Sequence, residues 1–514
     1  MTVYTPLYAE WLALRSTHPT RTGRSRGTPH EGPILVAGVA GALVDGINPG
    51  DIVVASEIQH AERADARRVA EDVGRGEESA GARWGGQGEV GVRWGRTVAC
   101  HGAALVAGEL RRRGFAVHVG PIVTADHVVD SPVERAVLAG RGALAVDTES
   151  GLLAGDDGRA VVVRVVVDTP SRPLKRVGTL GRGVRALREL RRTAETINAW
   201  SAATAEREVL LATPRSFCAG VERAIETVEQ ALERFGAPVY VRRQIVHNRH
   251  VVADLERRGA IFVEEVDEVP EHGVLVLAAH GVAPTVRTEA ANRHLRVIDA
   301  TCPLVAKVHQ EVRRYAATDN TVVLIGHADH EEVVGTTGEA PDHVLVVSNP
   351  TEAATIDVPD PTRIAYAMQT TLAVEEAAET AAVLRQRFPA LKGPRTDDIC
   401  YATSNRQAGV RAIARRSDLV IVVGSQNSSN SHRLVEVAEA AGTPAVLVDD
   451  AGDLPLDRLA GARTIGITAG ASAPPALVDD LVRCLSGLGP ITVTEVGELT
   501  EDVRFVLPKE VTHP

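Results

Sequence analysis

VIDATCPLV (Val297–Val305), followed by TVVLIGHADHEE (Thr321–Glu332), carries the pattern that decides the fold. Each segment is a short apolar run that ends abruptly in a polar turn. Runs of this kind, bounded by turn residues, read as strands of a parallel α/β sheet, and the residues just past their carboxyl ends form the ligand crevice. The pairing recurs on both sides. VLLATPRSFCAG (Val209–Gly220) precedes VLVLAAHGV (Val274–Val282), DDICYATSNRQ (Asp397–Gln407) precedes LVIVVGSQNSSNS (Leu419–Ser431), and TIGITAGASAP (Thr464–Pro474) closes the series. Three similar α/β lobes facing one centre are predicted. Each has a cysteine in an early turn: Cys218, Cys302 and Cys400, spaced 84 and 98 residues apart.

Upstream, from Gly32, apolar runs alternate with helical patterns, including a helix around Ala61 to Asp72, and imply parallel βαβ units. The sequence therefore divides into an N-terminal α/β domain over 1–180, a charged helical linker over 181–208 and the three-lobed domain over 209–508. Composition supports a multidomain globular protein, with 514 residues, 44% hydrophobic and 24% charged. Aromatic residues make up only 3%, and the formal net charge is −11. No nucleic-acid partner is expected, because single-strand platforms need exposed rings and an acidic body repels phosphate backbones. No stretch reaches the roughly 18 apolar residues of a membrane span, and no basic-then-apolar leader opens the chain. A cytoplasmic protein without a membrane partner is the expectation. The five cysteines are too few and too scattered for a disulfide framework.

A lone cysteine in an α/β core is most often a small buried hydrophobe. Three at equivalent lobe positions read differently. Thiolates hold iron-sulfur clusters, and three of them on a four-iron cluster leave one iron open as a Lewis acid. Zinc is the competing metal, although a structural zinc site ordinarily brings a cysteine pair about two to four residues apart. Near the cysteines stand His247 in QIVHN, His280 in AAHGV, and His327 and His330 in GHADHEE. Together with Ser428, Ser429, Asn430 and Ser472, these supply hydroxyl, amide and imidazolium donors suited to a diphosphate. Taken alone, SQNSSNS reads as a solvated loop. Glu332 is the candidate proton donor, since a carboxyl group in a dry pocket near an anion retains its proton. Without such a pocket it is a surface glutamate. Thr370 or Thr371 in MQTTL would relay that proton or orient a substrate hydroxyl.

SFCAGVERAI, QIVHN, AAHGV, DATCPLVAKVH, IGHADHEEVVGT, QTTL, DDICYATSNRQ, GSQNSSNS and TAGASAP, in this order, resemble the 4-hydroxy-3-methylbut-2-enyl diphosphate reductases of the non-mevalonate isoprenoid pathway. The resemblance covers about residues 209–500. It implies a 4Fe-4S cluster held by Cys218, Cys302 and Cys400. It places His247, His280, Ser428, Ser429, Asn430 and Ser472 at the diphosphate, and His330, Glu332 and Thr370 at the substrate hydroxyl. The implied reaction uses two protons, and two electrons delivered through ferredoxin or flavodoxin, to remove the hydroxyl of the allylic diphosphate as water, with Glu332 supplying the proton to the leaving oxygen. Isopentenyl and dimethylallyl diphosphates result. Three positions depart from the family pattern: Ser216 stands where glycine is usual, His432 where asparagine is frequent, and Glu331 where proline is common. Cys100 and Cys484 match no cluster position and read as structural.

Residues 33–170 resemble, more faintly, the nucleoside phosphorylase and nucleosidase superfamily, through GVAGALVDGINPGDIVVASE (Gly38–Glu57) and AVDTESG (Ala145–Gly151). That resemblance implies a ribose-binding Glu149 and an acid, Asp168, acting at the base. The phosphate loop is reduced to RTGRSRG (Arg21–Gly27), where Arg24 and Arg26 would attract an anion, and Thr148 replaces the usual methionine. These departures read as a degenerate scaffold or interaction module; the competing readings of the chain are a nucleoside-cleaving enzyme supported by its C-terminal half and a non-enzymatic cluster sensor.

Overall fold

The computed structural model describes residues 1–22, 32–64, 91–175, 178–497 and 499–512. They form two compact units. The first comprises Met1–Val209, Asp450–Arg463 and Asp479–Val493; the second comprises Leu210–Asp449, Thr464–Val478 and Thr494–Pro514. No helix among the described residues is long and apolar enough to cross a membrane.

In the first unit, β1 (Thr2–Thr5), β2 (Thr20–Arg21), β3 (Ile34–Ala42), β4 (Ile52–Ala64), β5 (Gly91–Ala99), β6 (Val117–Ala125), β7 (Ala145–Asp147) and β8 (Ala160–Asp168) share one sheet. Its order is β2-β1-β3-β7-β6-β4-β5, and β8 pairs with both β3 and β4, so that β3, β7, β6, β4 and β8 close a ring. The pairings are mixed. β3–β8, β4–β6 and β6–β7 are parallel, whereas β3–β7, β4–β5 and β4–β8 are antiparallel. Parallel βαβ units therefore account for only part of this sheet. The difference arises in β4, which is 13 residues long and serves three neighbours. It continues as strand to Ala64, where a helix from Ala61 was expected; the rest of that helix, and Arg24 and Arg26, lie outside the described residues.

Strand β8, AVVVRVVVD, is buried at every position, which accounts for its unbroken apolar reading. The exception in its middle, Arg164, is fully buried: its Nε donates to Asp147 Oδ2 at 2.8 Å and its Nη2 to Ser150 Oγ at 2.9 Å. The stretch 181–208 supplies most of two helices, Thr179–Arg192 and Ala194–Ala203, which bury Leu190 and Trp200. The first of them packs on β3 and β8, so this segment belongs to the body of the first unit.

The second unit contains the three lobes. The first sheet comprises β10 (Val239–Arg242), β11 (Ala260–Val263), β12 (Val274–Leu277) and β13 (Arg296–Asp299), in the order β11-β10-β12-β13. The second comprises β14 (Thr321–Ile325), β15 (Val344–Val347) and β16 (Ile364–Met368), in the order β15-β14-β16. The third comprises β17 (Leu419–Val423), β18 (Ala445–Val448), β19 (Thr464–Ala469) and β20 (Ile491–Val496), joined by β9 (Arg207–Ala212), in the order β18-β17-β19-β9-β20. The pairs within the first two sheets, and β17 with its neighbours β18 and β19, are parallel.

Because β9 belongs to the third sheet, the chain starts in the third lobe, crosses to the first, then the second, and returns. The cysteines stand at these crossings. The helix after Cys218, Ala219–Phe235, buries Val221, Ala224 and Val228 against Val239, Val241 and Val276 of the first lobe. The helix after Cys302, Pro303–Ala316, buries Val308 and Val312 against Val322 and Leu324 of the second. The helix after Cys400, Tyr401–Ala414, buries Val410 and Ala414 against Val420 and Val422 of the third. Each cysteine thus closes one lobe and opens the next, where the sequence suggested a turn inside its own lobe.

Candidate functional site

Cys218, Cys302 and Cys400 are each the N-cap of a long helix. The free N–H groups and positive dipole of a helix start favour a thiolate. Burial opposes this, pushing the Cys302 thiol up to about 12 and the Cys400 thiol up to about 11, with neighbouring cysteines adding to the rise. Deprotonated sulfur therefore needs a nearby cation. The three side chains line one cavity. A Cβ on Gly220 would stand 2.7 Å from Cys302 Sγ and 3.8 Å from Cys218 Sγ, so glycine keeps the space between these sulfurs open. Among the described residues, no group of three or more His, Cys, Asp or Glu side chains is arranged to hold a single metal ion. An open space flanked by thiols at helix starts fits a polynuclear iron-sulfur cluster better than zinc. Thr403 adds a contact that the sequence reading missed, although it lies within the DDICYATSNRQ motif: its N–H donates to Cys400 Sγ at 3.3 Å and its hydroxyl lies 3.1 Å from the same sulfur.

Three imidazoles gather in the lining of the same cavity. The His247 and His280 rings stack with centroids 4.1 Å apart, and His330 meets them edge-on at 5.8 and 6.0 Å. Gly281, with φ of 76°, turns the chain immediately after His280. Burial lowers His247 and His330 to about 4 and holds His280 well below its ordinary value. The rings are therefore neutral at pH 7, rather than the imidazolium donors expected, until an anion favours their protonation. His247 Nδ1, His280 Nδ1 and both polar atoms of the Asn430 side chain are buried without a hydrogen-bond partner. An unsatisfied buried polar atom costs about 1–3 kcal/mol. These three residues line one cavity, an arrangement suited to a polar ligand. Ser428, Ser429 and Ser472 complete this wall, with Ser472 Oγ donating to the His247 carbonyl at 2.9 Å.

Glu332 lines the same cavity and is 2% exposed. Its position is fixed from two sides. The Glu332 N–H donates to His330 Nδ1 at 3.2 Å, while the Thr370 N–H and hydroxyl donate to its carboxylate oxygens at 2.7 and 3.0 Å. Burial outweighs those bonds and raises its pKa to about 7, so a large fraction is protonated at neutral pH. All the C-terminal candidates, namely the three cysteines, His247, His280, His330, Glu332, Thr370, Ser428, Ser429, Asn430 and Ser472, line the same cavity. His327 is held elsewhere, against Arg433.

The first unit has its own pocket, which brings together Glu10, Asp147, Glu149, Asp168 and Arg135. Asp168 is paired with Arg135 through a buried contact, and burial raises its pKa against that partner. Glu149 lies 3.6 Å from Arg164 and accepts from the Thr148 hydroxyl. Glu10, which the sequence reading did not select, is 1% exposed and accepts from the Val39 N–H at 2.8 Å.

The pattern of the LytB protein family matches residues 209–486, and that of the phosphorylase superfamily matches residues 32–155. The 4-hydroxy-3-methylbut-2-enyl diphosphate reductase of Acidothermus cellulolyticus is 58% identical over 307 residues, which is 60% of this chain and 90% of that protein. Its namesake in Leifsonia xyli is 56% identical over 307 residues, 60% of this chain and 91% of the relative. Among solved structures, the E-1-hydroxy-2-methyl-but-2-enyl-4-diphosphate reductase of Plasmodium falciparum aligns with a TM-score of 0.58 and 37% identity, covering 60% of this chain and 98% of the other.

Proposed function

Since the chain belongs to the LytB protein family, we propose that residues 209–508 form a reductase domain that removes the hydroxyl of 4-hydroxy-3-methylbut-2-enyl diphosphate. Two electrons and two protons convert this substrate into isopentenyl or dimethylallyl diphosphate and water. The observation that carries the reading is the convergence, in one cavity, of three helix-capping thiols, a buried glutamic acid whose pKa is raised to about 7 and buried polar atoms without partners.

Cys218, Cys302 and Cys400 would hold a 4Fe-4S cluster, which when bound supplies electrons and an iron with Lewis acidity toward the substrate oxygen. His247, His280, Ser428, Ser429, Asn430 and Ser472 grip the diphosphate, and the unpaired imidazole nitrogens take up protons as the anion enters. Thr370 orients the substrate hydroxyl, with His330 alongside. Glu332 delivers a proton to the departing oxygen, and the Thr370 bonds stabilise the carboxylate left behind. Ferredoxin or flavodoxin is the electron donor we propose, and the cytoplasm the location.

Anaerobic turnover of the allylic diphosphate with a strong reductant tests the proposal. A brown protein that yields both five-carbon diphosphates is expected; a chain that binds iron yet leaves the substrate intact would point to a sensor instead. A second reading, nucleoside cleavage in the first unit, rests on the pocket that brings Glu149 and Asp168 together. Both carboxylates are engaged with arginines, which weakens it. Purine release by the full chain, lost on Asp168→Asn, would establish it.

A further inference from the structure

The three thiol-bearing turns are irregular backbone, yet a cluster requires its sulfurs at fixed separations. Each of the three helices that begin at a cysteine carries a cation five, five or six residues further on: Arg223, Lys307 and Arg406. In each lobe that cation reaches across to the turn leading into the next cysteine.

Arg223, on the Cys218 helix, donates from Nη1 to the Thr301 carbonyl at 3.1 Å and from Nη2 to the Asp299 carbonyl at 3.5 Å, immediately before Cys302. Lys307, on the Cys302 helix, donates to the carbonyls of Thr396 at 2.9 Å and Asp397 at 2.8 Å and to the Asp398 carboxylate at 3.2 Å, just before Cys400. Arg406, on the Cys400 helix, donates from Nη2 to the carbonyls of Ser216 at 2.7 Å and Phe217 at 3.0 Å, immediately before Cys218.

We propose that Arg223, Lys307 and Arg406 are positioning residues that brace the cluster site, each fixing one edge of the triangle of thiolates by tying a lobe's first helix to its last turn. The arrangement is cyclic. Every cysteine is held once through the helix it begins and once through the turn that delivers it. Backbone carbonyls in a tight turn are dipoles with few other partners, and charge-assisted bonds to them are about twice as strong as neutral ones. Arg223 also interacts electrostatically with Cys302, whereas Lys307 and Arg406 have their charges paired with Asp398 and Glu501. A triangle keeps its shape only while all three edges hold, so removal of one brace should loosen all three sulfurs.

The proposal rests on the reading that these cysteines carry the cluster, and the experiment separates the two. The anaerobically reconstituted full-length protein is mixed with excess iron chelator, and the decay of its visible absorption is timed. Lys307 is half-buried and Arg223 partly so, which makes Lys307→Met and Arg223→Met more tolerable to the fold than any change at the fully buried Arg406. Each is expected to lose the cluster roughly tenfold faster, the scale seen when partners behind metal ligands are removed. Iron-free Arg223→Met should melt as the unsubstituted protein does, and Lys307→Met is compared with its parent in an Asp398→Asn background, where no buried carboxylate is left without its cation. Lys307→Arg should restore slow loss. The double variant should fall short of the product of the single effects, because the second cut acts on a triangle already open. Single variants that hold the cluster as long as the unsubstituted protein, a fully multiplicative double variant, or faster loss matched by a lowered melting temperature would each overturn the brace. An unsubstituted protein that takes up no iron would instead overturn the reading of the cysteines.

Discussion

Glu332 accepts two hydrogen bonds that favour its ionised form, yet its pKa is about 7, because burial dominates. Glu332→Gln keeps the shape and the contact with Thr370 but cannot give up a proton. We expect normal iron content and a loss of turnover of about 10²- to 10⁴-fold, measured anaerobically with a chemical reductant. In the unsubstituted protein, turnover should fall as pH rises through about 7, as the protonated form is depleted. Stability carries the same signature. The folded pKa lies above the ordinary value of 4.5, so the carboxyl group does not penalise folding below 4.5, does so increasingly between 4.5 and 7, and reaches its full penalty above. Melting of iron-free Glu332→Gln against the parent should therefore show a larger advantage at pH 8 than at pH 5.

Ser216 gives a different test at the same scale. It stands at φ 63°, buried, with its hydroxyl unpartnered. The sequence flagged this position as one where glycine is usual, and the backbone supplies the reason, since a left-handed conformation penalises a side chain by about 1–2 kcal/mol. Ser216→Gly should raise the melting temperature, with a gain of about 1 kcal/mol.

Elements were legible where apolar runs end in polar turns. β14, β17 and β19 stand where VVLI, LVIVV and TIGITA were read as strands, because buried parallel strands need unbroken apolar sequence. The ring in the first unit was not legible. Its closure depends on β8 pairing with two strands far away in sequence, and no local periodicity reports that. Arg164 is the residue that the closed ring explains: a guanidinium in the middle of an apolar strand is tolerable because Asp147, Ser150 and Glu149 meet it inside. Arg164→Met leaves the Asp147 carboxylate buried without its cation and should destabilise the first unit by about 3–5 kcal/mol, read as a lower melting transition. Pairing it with Asp147→Leu should recover only part of that loss, since Glu149 and Glu10 still lack their cation.

For the whole molecule, the sequence located the thiols, histidines and carboxyl group of the cavity, because each lies in a short turn whose chemistry is local. It did not show that the cysteines stand between lobes, since that follows from β9 joining a sheet whose other strands come more than 200 residues later. The braces escaped notice for the same reason: Arg223, Lys307 and Arg406 sit in plain view in the motifs, but their partners lie 76 to 190 residues away.

Asp450–Arg463 and Asp479–Val493 group with the N-terminal residues, while the stretch between them groups with the C-terminal lobes. Severing the polypeptide once, near Val209, would therefore strand two pieces of the first unit on the wrong fragment. Met1–Val209 expressed alone should lack a sharp cooperative melt by circular dichroism, whereas the intact protein should show one. A single nick near Val209 would leave the stretch that matches the reductases contiguous, but the N-terminal unit would part from two of its own segments.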